Sequence, residues 1–190
     1  MTQSPPSNYP AGGLMLGIVA MSVVVAASNY LVQIPINNWL TWGAFTYPIA
    51  FLVTDLSNRR FGPDVAKKVV YAGFALGVVL SIVLQVPLRI AIASGAAFLI
   101  AQLFDVWLFN RLRGAPAWWR APVVSSTAAS ALDTVLFFSL AFAMTEVPWV
   151  TLAAGDYMAK LVVAGVMLIP FRMMMGGQDW SRTQASTATP

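Results

Sequence analysis

The first charged side chain in this sequence is Asp55. Everything before it is apolar, aromatic or uncharged polar. Further apolar runs follow, separated by short clusters of charge, proline and glycine. Soluble domains carry about a quarter charged residues, whereas this chain carries 9%, with 58% hydrophobic residues. So few charges cannot cover a globular surface in water, and an integral membrane protein is the class that fits. The charge-free start also lacks the basic head of a secretory signal peptide.

A spanning helix needs about 20 mostly apolar residues. The sequence predicts six such spans: Leu14–Val32, Trp39–Ser57, Lys67–Val86, Leu88–Leu112, Val123–Thr145 and Trp149–Arg172. "QIPINN", "RRFGPD", Pro87, "RGAP" and "EVP" punctuate the joints between them. The expected fold is an all-α bundle of six transmembrane helices over residues 14–172. Residues 1–13 and 173–190 read as disordered tails rich in Pro, Ser, Thr and Gly.

Basic residues set the expected orientation. Arg59, Arg60, Lys67, Lys68, Arg111, Arg113, Arg120, Arg172 and Arg182 all fall on one side of a six-span plan. The other side has Arg89 at a helix start, while Lys160 lies within a span. The positive-inside bias then puts both termini of a multi-pass membrane protein in the cytoplasm. Trp39, Trp42 and Trp149 mark the outer ends of helices, and Trp107, Trp118 and Trp119 the inner ones. A pI near 9.8 comes with a net charge of only +4, dispersed between apolar runs, so nucleic acid is not an expected partner.

The chain has no cysteine and no histidine. That removes thiol nucleophiles, iron–sulfur ligation, the commonest general base and the commonest metal ligand. No nucleophile–base pair or metal cluster stands out. An enzyme is therefore not expected, nor a metal or other cofactor.

Polar residues inside the spans form stripes at helical spacing. One stripe is Ser94, Phe98, Gln102, Asp105 and Phe109. Another is Ser126, Ser130, Asp133, Thr134 and Phe137. Ser22, Ala26 and Asn29 align in the first span, and Tyr47, Phe51, Thr54 and Asp55 in the second. Asp156, Lys160 and Ala164 align in the last. An ionisable group at mid-span costs at least about 2.5 kcal/mol on insertion scales. Such stripes should turn inward, towards a wet cavity or a neutralising partner. The plainer readings are a helix-internal Asp156–Lys160 ion pair, an interfacial capping role for Asp55 beside Arg59, and close packing at Ala129 and Ser130.

A carboxylate accepts two parallel hydrogen bonds from adjacent N–H donors, which a guanine-like edge offers. Gln102 and Asn29 could complete the polar contacts, with Thr134 beside Asp133. Tyr47, Phe98 or Phe137 could stack on a flat ring. A cation or a proton would equally satisfy an acid. The residues point to a small polar solute without selecting a compound.

Four segments carry a family resemblance: "YPIAFLVTDLSNRRFGPDVAKKVVYAGF" (47–74), "RIAIASGAAFLIAQLFDVWLFNRLR" (89–113), "SSTAASALDTVLFFSLAF" (125–142) and "DYMAKLVVAGVMLIPF" (156–171). In this order they resemble the signatures of the queuosine precursor transporter family, once grouped as vitamin uptake transporters. The resemblance covers roughly residues 14–172. It implies import of 7-cyano-7-deazaguanine and 7-aminomethyl-7-deazaguanine by a chain needing no dedicated ATPase. It also implies a six-helix plan similar to the substrate-binding subunits of energy-coupling-factor importers. The alternative is such a subunit, serving another small heterocycle or vitamin; the small residues Ala20, Ala26 and Ala27 of the first helix could dock its partners. A homo-oligomer is compatible with either.

On the carrier reading, Asp133 and Asp105 bind the donor edge of the base. Arg89 and Asp55 serve charge pairing or gating, as do Lys160 and Asp156. The sequence departs from the family pattern at Arg59, Phe61 and Ala131, where the family usually has Glu, Tyr and Gln.

Overall fold

The computed structural model describes residues 11–31, 34, 36 and 42–175. The tails at 1–10 and 176–190 and the start of the second expected span, Trp39, lie outside the described residues. The described residues form helices α1 (Ala11–Leu31), α2 (Gly43–Thr46), α3 (Ile49–Phe61), α4 (Pro63–Val83), α5 (Leu88–Leu112), α6 (Arg120–Phe142) and α7 (Trp149–Met175), with no strand. Helix α1 begins three residues before the expected start, and α7 runs three past the expected end. Span α5 has the expected bounds.

Five of these helices, α1, α4, α5, α6 and α7, are long and apolar enough to cross a membrane. The second expected span differs. It is a broken helix, interrupted at Tyr47 and Pro48. Proline has no N–H to give and crowds the preceding turn. Around it Ala50 N–H reaches only to Tyr47 O, and Phe51 N–H only to Pro48 O, three residues back rather than four. Together α2 and α3 extend about 28 Å at the helical rise, close to a hydrocarbon thickness.

The polar, short α3 sits at the centre of the bundle, where it touches all five long helices. Gly62 ends it at φ +90°, a backbone region open to glycine. Pro63 then starts α4 at the first helical position, where a missing N–H costs nothing.

Lipid tails are as apolar as leucine, so close packing and interhelical hydrogen bonds hold such a bundle. Ile82, Leu88, Val135 and Ile169 are more than half exposed, as suits a lipid-facing surface. Helix α1 docks through small residues: a Cβ on Gly17 would meet Val69 Cγ2 at 2.8 Å, and one on Gly73 would meet Met21 Cγ at 2.6 Å. This docking overrides the expected inward stripe on α1. Gly17, Met21, Val25 and Ser28 are buried instead. Ser22 and Asn29 are half-buried and Ala26 is exposed. Depth of approach, set by glycine, decided the face.

The basic clusters gather at one end. Arg59 Nη1 donates to Arg113 O at 3.4 Å, and Arg60 Nη2 to Met174 O at 2.5 Å. Arg113 donates to both the carbonyl and the side-chain oxygen of Asn58. Arg172 lies over the Trp118 ring at 4.9 Å. The ends of α3, α5 and α7 are thus tied together. Burial lowers the affinity of the Arg113 guanidinium for its proton, yet arginine stays charged.

Candidate transport site

Two buried polar centres lie within the bundle. The first joins α6 and α7. Lys160 Nζ sits 2.7 Å from Asp133 Oδ2, 2.5 Å from Asp156 Oδ2 and 3.1 Å from Thr134 Oγ1. Thr134 Oγ1 in turn donates to Asp156 Oδ2 at 2.9 Å. Asp133 and Lys160 are 3% and 4% exposed. The expected Asp156–Lys160 pair therefore exists, but as part of a cluster crossing to the next helix. Two neutralising carboxylates and a hydroxyl are why a lysine tolerates this depth. The Tyr47 ring is 5.7 Å from Lys160 Nζ, within cation–π range, and Phe98 meets Tyr47 edge-on at 6.0 Å. The break before α3 is what brings Tyr47 here.

The second centre joins α3, α5 and α6. Ser126 Oγ donates to Asp55 Oδ2 at 3.0 Å and Ser125 Oγ to Asp55 Oδ1 at 3.5 Å. Asp105 is buried on α5 between Gln102 and Val106, the two positions that α3 contacts through Thr54 and Asn58. Asp55 is not an interfacial cap: it is 2% exposed. Position 55 follows Phe51 and Thr54 on the face α3 presents to its neighbours, which takes it inward. Beside it Thr54 Oγ1 donates to Gln102 Oε1 at 2.6 Å, and Asn58 Nδ2 to Val106 O at 2.9 Å.

Ser126, Ser130 and Asp133 are all buried along one face of α6. They link the two centres over roughly 10 Å, at seven residues of helical rise. Along this column several buried groups make no hydrogen bond: Gln102 Nε2, Ser130 Oγ and both carboxylate oxygens of Asp105. Buried polar atoms of this kind call for an explanation, such as a bound partner.

Asp105 and Asp133 were expected to grip one donor edge together. The structure pairs Asp133 with Lys160 and leaves Asp105 outside that cluster, on the part of α5 that meets α3. Among the described residues Arg89 meets no acid. It caps α6, with Nε 2.9 Å from Leu140 O and Nη2 2.6 Å from Ala143 O. Asn29 donates to Val25 O of its own helix at 2.9 Å. Phe137 is half-buried and packs with Phe138 and Phe142 at centroid distances of 5.1 and 6.0 Å.

Ser125, Asn58 and Arg113 were not singled out in advance. Asn58 stands one turn beyond Thr54, so the stripe could have been extended to it. Arg113 read only as an orientation charge. A cleft lined by Pro48, Phe51, Asp55, Ser126, Met167 and Phe171 has a free volume of about 20 Å³, enough for a water-sized guest but not for a purine.

Apolar helices of spanning length around an inward-facing charged column define a multi-pass membrane protein with a polar interior. A family described as "Putative vitamin uptake transporter" matches residues 41–175. A protein of Haemophilus influenzae named "Probable queuosine precursor transporter" is 36% identical, over 77% of this chain and 79% of its own. The "Queuosine precursor transporter" of Escherichia coli K12 is 34% identical, over 78% and 79%. A Bacillus subtilis relative, "Probable queuosine precursor transporter", is 29% identical, over 67% and 68%. The chain belongs to this transporter family of the bacterial inner membrane. No solved structure matches it.

Proposed function

We propose that this chain is an inner-membrane carrier importing queuosine precursors, the 7-deazaguanines with a 7-cyano or 7-aminomethyl group. The relatives' names motivate the cargo. The observation that carries the assignment is the column of buried, unpartnered polar atoms between two acidic centres. A purine analogue bears donors and acceptors along its edges, and Gln102 and Ser130 have capacity to meet them. Asp133 accepts the base's paired N–H donors once Lys160 releases it. Thr134 supplies a hydroxyl, and Tyr47 and Phe98 an aromatic wall. Lys160 holds Asp133 and Asp156 in the empty state.

Taking up a base requires Lys160 to release Asp133 and the helices around the column to part. The proposed cycle exposes the column alternately to each side, with movement at the Tyr47–Pro48 break. Both termini are cytoplasmic in this reading, and the plan is similar to that of energy-coupling-factor substrate-binding subunits, without a dedicated ATPase.

The test is rescue of tRNA queuosine in cells that make no precursor and lack importer ATPases. Each deazaguanine is supplied outside at low concentration, with and without this gene. Rescue that depends on the gene is expected. Its absence, with the protein present in the membrane, overturns the assignment. Rescue only when importer ATPases are restored would make the chain a solute-binding subunit instead.

A further inference from the structure

The two centres differ in charge balance. At the first, an ammonium meets two carboxylates. At the second, Asp55 and Asp105 are 2% and 0% exposed, and no described lysine or arginine forms an ion pair with either. Their surroundings supply no cation. Helix α6 contributes the serine hydroxyls of 125 and 126. Helix α7 contributes Ala164, Met167, Leu168 and Phe171 to the adjoining cleft. Asp64, Lys67 and Lys68 of α4 are exposed, and α1 and α2 carry no charge. On α3 itself Arg59 reaches the Arg113 carbonyl, and on α5 Arg113 reaches Asn58.

Two carboxylates side by side in a low-dielectric interior do not both stay ionised without a positive charge between them. Both carboxylate oxygens of Asp105 are buried without a hydrogen-bond partner among the described residues. The donor set is all oxygen, from two carboxylates and two hydroxyls, and oxygen sets suit hard cations. The cleft beside Asp55 and Ser126 has a volume of about 20 Å³, on the scale of a water or a small ion.

We propose that Asp55 and Asp105 form a site for one monovalent cation, a proton or Na⁺, that is separate from the cargo position and coupled to it. The link is short. Thr54, adjacent to Asp55, donates to Gln102, which stands three residues before Asp105 on α5. Filling the site removes the repulsion between α3 and α5 and sets the side chain offered to the cargo. The coupling, though not the cation site, rests on the carrier reading above.

The experiment uses the purified full-length protein. Thermal unfolding in detergent is followed from mildly acidic to mildly alkaline pH, with NaCl or choline chloride. The wild type is expected to shift its Tm with proton or Na⁺ concentration, and Asp105→Asn and Asp55→Asn to lose most of that shift. A Tm response unchanged in both variants overturns the site. In proteoliposomes, exchange of labelled deazaguanine is then measured with proton and Na⁺ gradients imposed separately. Accumulation driven by one gradient identifies the cation, and its loss in Asp55→Asn with exchange retained supports coupling. Exchange that ignores both gradients overturns the coupling. Cation-dependent stability without any exchange would overturn the carrier reading while the site stands.

Discussion

Lys160 Nζ lies 2.7 Å from Asp133 Oδ2, on a different helix, at a depth where both side chains are about one-twentieth exposed. This contact pins α7 to α6 and turns an expected local ion pair into a structural joint. It also occupies the acid proposed to hold the cargo, so opening the column requires Lys160 to let go.

Removing the ammonium should be costly. Lys160→Met leaves Asp133 and Asp156 buried without their cation, and breaking one side of a buried pair costs about 3–5 kcal/mol. A clear fall in thermal stability is expected. Combining Lys160→Met with Asp133→Asn should recover part of it, as the coupling in a double-mutant cycle.

The two acids on the polar column should respond oppositely to amidation. Asp133→Asn strips Lys160 of one charged partner and should destabilise by about 1–3 kcal/mol. Asp105→Asn removes an acid whose oxygens have no partner, so stability should hold or rise. Unfolding of both variants under one set of conditions checks the sign.

Thr134→Val keeps the shape of the side chain and deletes the hydroxyl that bridges Lys160 and Asp156. A lost hydrogen bond is worth about 1 kcal/mol, so uptake should fall roughly fivefold with protein level unchanged. Initial uptake rates normalised to membrane protein measure this.

The docking of α1 depends on absent side chains. Gly73→Ala places a methyl 2.6 Å from Met21 Cγ. Overpacking of this kind costs about 1–3 kcal/mol. Met21→Ala leaves a cavity of its own, so the double variant should be more stable than the sum of the two losses predicts. Comparison of the three Tm values tests the contact.

At the basic end, Arg113→Ala should loosen α3 from α5, and Arg113→Lys should fail to restore it. The guanidinium serves the carbonyl and the side-chain oxygen of Asn58 together, a geometry that a single ammonium does not reproduce. Limited proteolysis near the α3–α4 turn, with thermal unfolding, reads out the loss.

The sequence by itself determined the class, the spans and most of the inward faces. The low charge content forces a bilayer, and a bilayer admits helices whose length its thickness fixes. The stripes through Phe51, Thr54 and Asp55, through Gln102 and Asp105, and through Ser126, Ser130 and Asp133 were legible because 100° per residue fixes who shares a face. Tertiary structure alone decided which stripes meet. Periodicity carries no information on the relative height of two helices, so it could not separate Asp105 from Asp133 or pair Asp105 with Asp55. Nor could it show that glycine contacts rotate α1 away from Ser22 and Ala26. Those outcomes depend on distances between helices, and such distances are set only when the side chains of several elements are packed at once.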